Sequence, residues 1–199
     1  MSLDDQPPIG LRERKKAKTR AAMQQHALRL FRERGYEATT VEQIAEAAEV
    51  SASTFFRYFS TKEDVVLYDA LDPLMIAAFK AQPAELSPVQ ALRGATHAVF
   101  AALPPEEMED MRERFTLISA VPELRAHLLN EFSATIQLAG EMIAQRVGLP
   151  VDDFAVRIFA GALIGVSLAV MLSALEDPTA DMVALFDAGL AQLEAGLPV

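Results

Sequence analysis

The chain has 199 residues, of which 51% are apolar and 23% charged, and it contains no cysteine. That length holds one large domain or a small domain joined to a medium one, and the ordinary balance of residue types excludes wholesale disorder. Without thiols, disulfides, cysteine nucleophiles and zinc–thiolate sites are excluded as well, which suits a reducing cytoplasm, the expected location. The net charge of −10 is unevenly placed: Leu11–Lys62 holds eleven Lys/Arg against six Asp/Glu, whereas Glu63–Val199 holds seven against twenty. Beyond a Debye length of roughly 8 Å the acidic part is screened, so the basic segment keeps the local sign that a polyanion requires.

In chain order, residues 1–10 read as a disordered tip, with no apolar run after the charges and therefore no secretory signal. Arg12, Arg14, Lys15, Lys16, Lys18 and Arg20 follow, giving residues 1–19 the character of a flexible basic arm. Such a run is either a solvated tail or an arm that reaches the DNA backbone or minor groove. Met23, Ala27, Leu30 and Phe31 then recur at helical spacing until Gly35 ends the run. Thr40 with Gln43 is a capping box for a short helix, Ser51 can cap a second, and Thr61 with Asp64 starts a longer one that Pro83 closes. Ser87-Pro88, the glutamates after Pro105, Pro122, Asp152 or Asp153, and Asp177-Pro178 open the rest. The reading is all-α, with about nine helices and no strand.

One segment carries function. In Thr39–Phe59 two helices of about eight residues flank the turn Glu49-Val50-Ser51. Val41, Ile44, Ala45 and Ala48 share a face of the first, Phe55 and Phe59 a face of the second, and Val50 plugs the bend. Alanines at the crossing allow close approach, and the short second helix is of a size to enter a major groove with its N-terminal residues nearest the bases. Compact αα-hairpins also occur without DNA; the basic local charge favours the DNA reading here.

Residues 20–67 resemble the DNA-binding head of the TetR-type regulators, through Ala27, Leu30-Phe31, Gly35-Tyr36, Thr39-Thr40-Val41, Ile44-Ala45, Ala48, Val50-Ser51, Thr54, Tyr58-Phe59 and Lys62-Glu63. The resemblance implies a three-helix helix-turn-helix head over 20–66 and a larger helical body over 67–199 that binds a ligand and dimerises. It implies a repressor on palindromic double-stranded operator DNA as a homodimer, released by a small apolar or acyl-type effector. Thr40, at a helix start, would grip phosphate. Lys62 matches the family's phosphate-contacting lysine. Ser51, Ala52, Ser53, Thr54, Arg57 and Tyr58 would face bases or phosphates. Two positions depart from the family. A glycine is usual where Ser53 stands, and a tyrosine with a phosphate-bound hydroxyl is usual where Phe56 stands.

In the body, Ile158–Leu175 is an uncharged run of 18 residues. A membrane span is set aside, since the run is short for one and solitary, and Arg157 and Glu176 abut it without a basic cluster. The expectation is a helix buried all round. Gly161, Gly165, Ala169 and Ser173 make a stripe of small residues on it, explained either by packing inside the chain or by a two-fold dimer seam with the last helix. Methionines and phenylalanines between these elements fill a core or wall a pocket. The candidate ligand set is Phe100, Met111, Arg114, Phe115, Arg125, Phe132 and Ile136. Arg112–Leu129 also resembles regulators with acyl-CoA-like ligands, mycofactocin-type regulators among them, which makes Arg112, Arg114 or Arg125 candidates for an anionic head group. His26, His97 and His127 are too dispersed for a metal site, and no phosphate loop or nucleophile elbow occurs, so neither cofactor nor enzyme activity is expected. The rival reading is a small-molecule-binding dimer that has lost DNA binding, with Phe56 and Ser53 as its hints.

Overall fold

The computed structural model describes residues 11–69, 71–177 and 180–198. The expectation of a disordered tip over residues 1–10 lies outside them. Ten α-helices occur among the described residues, in two compact units that divide between Tyr68 and Asp69.

The first unit contains α1 (Leu11–Arg34), α2 (Val41–Ala47), α3 (Ala52–Tyr58) and α4 (Lys62–Leu67). Met23, Ala27, Leu30 and Phe31 of α1 are buried at helical spacing, together with Ile44, Ala45, Phe55, Phe59, Val65 and Val66. Phe55 is fully enclosed, and truncating such a ring to alanine typically costs about 3–5 kcal/mol. The basic stretch departs from its reading as an arm over 1–19: residues 11–19 are the first turns of α1. No Gly or Pro interrupts Leu11–Arg34, and Lys, Arg, Ala and Glu are good helix formers, so nothing local stops the helix from extending backward.

The long helix expected from Thr61 to Pro83 is also divided, and this accounts for the tenth element. Tyr68 ends α4, and α5 (Asp72–Lys80) begins anew. Pro73 supplies the reason, since its ring clashes with a helical carbonyl at residue 69 and disfavours helix at the residue before it. Leu71 N–H donates instead to Asp69 Oδ1 at 2.9 Å.

The second unit continues with α6 (Pro88–Ala102), α7 (Pro105–Ala120), α8 (Pro122–Val147), α9 (Phe154–Glu176) and α10 (Met182–Glu194). One cluster buries Phe79, Val89, Leu92, Ala95 and Leu190 between α5, α6 and α10, and another buries Ile143, Ala144, Val156 and Ala160 between α8 and α9. Arg93 clamps α6 to α10 with a two-pronged contact to Asp187, at 2.8 and 3.0 Å, and a third bond to Glu194 at 3.1 Å. That guanidinium, with His97 adding a further bond, holds the Asp187 carboxyl below its ordinary range. The last helix is capped by Asp181, not begun at Asp177-Pro178; Asp177 caps the end of α9, and Pro178 lies outside the described residues.

The expectation that the long apolar helix is buried all round is corrected. Only 22% of its most apolar window is enclosed, and Phe154, Ile158 and Leu172 stand exposed along one side. By length and composition α9 is the one helix among the described residues that could cross a bilayer. It packs instead against α8 and α10. Its glycines are not required by that packing. Among the described residues a Cβ added at Gly161 or Gly165 meets nothing within 4 Å, whereas one added at Gly189 of α10 comes 2.6 Å from Val166 Cγ1. Within the chain, the close approach is made by the α10 glycine.

Candidate nucleic-acid interface and body cavity

The turn between α2 and α3 is built by backbone hydrogen bonds. Val50 N–H donates to Ala45 O at 2.9 Å and Glu49 N–H to Glu46 O at 3.0 Å, the paired bonds of a Schellman ending. Glu49 is thereby placed at φ +54, a left-handed position that usually selects glycine. Nothing in the local sequence marks it, because the residue there is a glutamate.

Ser51 caps α3, accepting from Thr54 N–H at 3.1 Å and lying 2.9 Å from the Ser53 hydroxyl and 3.0 Å from that of Thr54. This cap fixes the rotation of the short helix. Ser53, Phe56 and Arg57 then fall three and four apart on its exposed face, while Ala52, Thr54 and Tyr58 are half-buried. Phe56 is 52% exposed and meets Phe55 edge-on with ring centres 5.6 Å apart. Arg57 lies over the Tyr58 ring at 5.6 Å. An exposed aromatic, a hydroxyl and a guanidinium are a surface that fits base edges and phosphates.

Thr40 is exposed at the start of α2, and its capping box is complete: Gln43 N–H donates to Thr40 Oγ1 at 3.3 Å and Thr40 N–H to Gln43 Oε1 at 3.0 Å. The Glu42 carboxyl is held below its ordinary range by its own backbone N–H and by the Thr40 hydroxyl. A carboxylate therefore stands directly beside the proposed phosphate grip.

Lys62 differs most from its expected role. Its Nζ donates to Tyr36 O at 3.0 Å and Thr39 O at 3.3 Å, and sits 3.9 Å from the Tyr36 ring centre. The same turn is held by Tyr36 OH, which donates to Glu63 Oε1 at 2.5 Å. Burial alone would raise the Glu63 carboxyl, but the Tyr36 and Thr61 hydroxyls, its own N–H and the Lys62 charge outweigh it and keep Glu63 low. An ammonium has three donors, so two carbonyl contacts leave one for phosphate. Lys62 is a clamp of the α1–α2 turn as well as a candidate DNA contact.

Sequence reasoning placed Arg20 in the basic run and passed over Gln24. Arg20 reaches Tyr58 O at 3.3 Å and lies over the Tyr68 and Phe59 rings at 5.1 and 5.9 Å. Gln24 Nε2 donates to Val65 O at 2.9 Å and Tyr68 O at 2.7 Å, closing the last carbonyls of α4. Arg12, Lys15, Lys16 and Lys18 are exposed on the first turns of α1.

In the second unit a cavity of about 320 Å³ lies between α7 and the corner joining α9 to α10. Met111 and Phe115 of the expected ligand set line it, joined by Met108, Arg112, Met171 and Met182. The other expected residues fall elsewhere. Arg114 is buried and pairs with Asp69 at 3.2 Å, because its place on α7 points it away from the cavity and a buried guanidinium requires an anion. Arg125 turns back to donate to Ser119 O, and Ile136 packs into the α8–α9 core beside Ile143. Phe100 is half-buried outside the cavity lining. The side chain of Phe132 lies outside the described residues. Met171 and Met182 were missed because they sit far from α7 in sequence, and an apolar residue on a helix face carries no local mark of a cavity. Among the described residues no group of three acidic or histidine side chains is placed to hold a metal ion.

A capped, exposed recognition helix on a small head, with a cavity in a separate helical unit, is the arrangement of a helix-turn-helix transcriptional regulator. Residues 25–68 match the family model described as bacterial regulatory proteins, tetR family, and residues 86–198 match that of the MftR C-terminal domain. The HTH-type transcriptional regulator TcmR of Streptomyces glaucescens is 40% identical over 151 residues, covering 72% of this chain and 67% of that relative. The mycofactocin biosynthesis transcriptional regulator MftR of Mycobacterium tuberculosis is 26% identical over 174 residues, covering 86% of this chain and 87% of that one. Among solved structures, Thermus thermophilus FadR, a TetR family repressor in complex with lauroyl-CoA, aligns with a TM-score of 0.55 at 25% identity, covering 90% of this chain and 95% of that one. The chain belongs to the TetR family of bacterial transcriptional regulators.

Proposed function

We propose that this chain is a ligand-responsive repressor which binds palindromic operator DNA in the cytoplasm as a homodimer and is released by a small apolar or acyl-type effector. The observation that carries the reading is the exposed Ser53, Phe56 and Arg57 face of α3, set by the Ser51 cap on a head whose Arg20, Gln24 and Lys62 close on internal carbonyls. The bases are read from this face, with Ser51, Ala52, Thr54 and Tyr58 at its edges and Thr40 and Lys62 on flanking phosphates. The homodimer forms along the exposed side of α9, where nothing among the described residues lies within 4 Å of a Cβ added at Gly161 or Gly165. An acyl-type effector is supported by the lauroyl-CoA bound to the Thermus thermophilus relative.

The test is selection of bound fragments from genomic DNA by the full chain, followed by sedimentation of the complex. The expected result is a palindromic site with half-sites about one helical turn apart or a multiple of it. One dimer should bind per site, with an affinity that falls steeply with salt. A folded dimer with no salt-dependent DNA binding would establish the rival, a small-molecule-binding dimer that has lost its DNA.

A further inference from the structure

The cavity between α7 and the α9–α10 corner has walls of one composition and a rim of another. Met108, Met111, Met171 and Met182 face it from three helices with Phe115. Unbranched, polarisable side chains of this kind conform to an apolar body instead of one fixed shape. A volume of about 320 Å³ is the liquid share of about ten waters at ~30 Å³ each, room for a chain of about ten carbons.

The polar groups of the lining differ in what they have left to offer. Thr116 Oγ1 donates to Arg112 O at 3.0 Å and Ser119 Oγ to Phe115 O at 2.5 Å, so both hydroxyl protons are taken by their own helix. The Asp181 carboxylate accepts from Val183 N–H and Ala184 N–H, both at 3.0 Å, which commits its charge to the start of α10. Arg112 is different. Its one ion pair among the described residues is a contact with Glu109 at 3.9 Å, and its side chain is 60% exposed. A pair so long and so wet contributes little. The guanidinium is thus the uncommitted charge at the mouth of an apolar chamber, and it has a planar fork for an oxyanion.

We propose that this cavity binds an apolar monoanion of about ten carbons, with its tail among the methionines and its anionic end on Arg112. The site's part in regulation rests on the effector reading above; its chemistry does not. Isothermal titration of the full chain with decanoate, decanol and decyltrimethylammonium, all below micelle formation, tests it. Decanoate should bind about three- to fivefold more tightly than decanol, what an ion pair with a solvent-exposed guanidinium contributes, and the cation should bind most weakly. Arg112→Met keeps an apolar stem of similar reach without the charge. It should reduce decanoate to the affinity of decanol while decanol changes by less than about twofold. Met171→Trp or, as a second filler on the same wall, Ala174→Leu should abolish binding of both in protein whose helix content is unchanged.

Equal affinity of decanoate and decanol for the natural chain would overturn the proposal. So would undiminished discrimination in Arg112→Met, or binding that survives both fillers. Release of operator DNA, read on the same samples, separates the two ideas. Arg112-dependent binding without release sinks the effector role and leaves the site standing. Release by decanoate that persists equally in Arg112→Met sinks the site.

Discussion

The head and the body of this chain handle their side chains in opposite ways. In the head, long polar residues turn inward and close on backbone carbonyls: Arg20 on Tyr58, Gln24 on Val65 and Tyr68, Lys62 on Tyr36 and Thr39. The result is a small unit with one exposed apolar ring, Phe56, on the face proposed to meet DNA. In the body, apolar surface is left over. Phe154, Ile158 and Leu172 line one side of α9, and methionines line an open chamber. The head presents one exposed face, and the body keeps apolar surface that the proposed second subunit and small molecule would cover.

That contrast breaks most sharply at two glycines. Gly189→Leu drives a side chain into Val166, already 2.6 Å from the position of a Cβ, and should destabilise the body by about 3 kcal/mol, the upper end for overpacking. At Gly165 an added Cβ meets nothing within 4 Å among the described residues, so Gly165→Leu should not destabilise the subunit and should stabilise it by up to about 1 kcal/mol through helix propensity. Its disruptive effect should appear in sedimentation instead, as dissociation at micromolar concentration, because two-fold symmetry sets the added side chain against its own copy. If Gly165→Leu stays dimeric, the open side of α9 is not the seam.

Lys62 sharpens the same comparison from the head's side. Lys62→Ala should cost the head about 1–2 kcal/mol in denaturant unfolding, since two carbonyls lose a charged donor. It should also weaken binding to every DNA sequence alike and lower the salt slope by about one unit. A head that is destabilised while the salt slope is untouched would make Lys62 a clamp alone. Phe56→Tyr adds a donor to the exposed ring and should tighten operator binding by up to about 1.5 kcal/mol. Marked weakening, with circular dichroism unchanged, would show that the ring sits in a dry contact on DNA. The smallest effect belongs to Glu49, held at φ +54. Glu49→Gly should stabilise the head by about 0.5–1 kcal/mol, the left-handed strain relieved less the entropy a glycine loses on folding. Equilibrium unfolding of the two proteins decides it.

The head was legible because its signals are short-range. Thr40 with Gln43, Ser51 before Thr54 and Gly35 after Phe31 each act within four residues, and each is found in the structure where the spacing placed it. What escaped was decided by partners far along the chain. Lys62 faces carbonyls 23 and 26 residues away, and nothing in its own neighbourhood distinguishes that from an outward lysine. Pro73 is a local mark of the break between α4 and α5, and the helix expected from Thr61 to Pro83 ran straight through it. In the body, of the expected ligand residues Met111 and Phe115 line the cavity, whereas Arg114 pairs with Asp69 away from it. Neighbouring positions on one helix point to opposite sides, so residue type alone cannot tell a chamber wall from a buried ion pair.

The tyrosines give this division of labour a spectroscopic consequence. The chain has no tryptophan and three tyrosines, at positions 36, 58 and 68, all in the first unit. Emission excited in the near ultraviolet therefore originates wholly in the DNA-binding head, and the body is dark apart from its phenylalanines. Tyr36 is hydrogen-bonded to the Glu63 carboxylate, an arrangement that quenches a phenol, so loss of that bond brightens the signal. An unlabelled sample thus carries its own lamp in one half. Comparing that light with far-ultraviolet circular dichroism, which weights every helix, reads whether the head melts before, with or after the body.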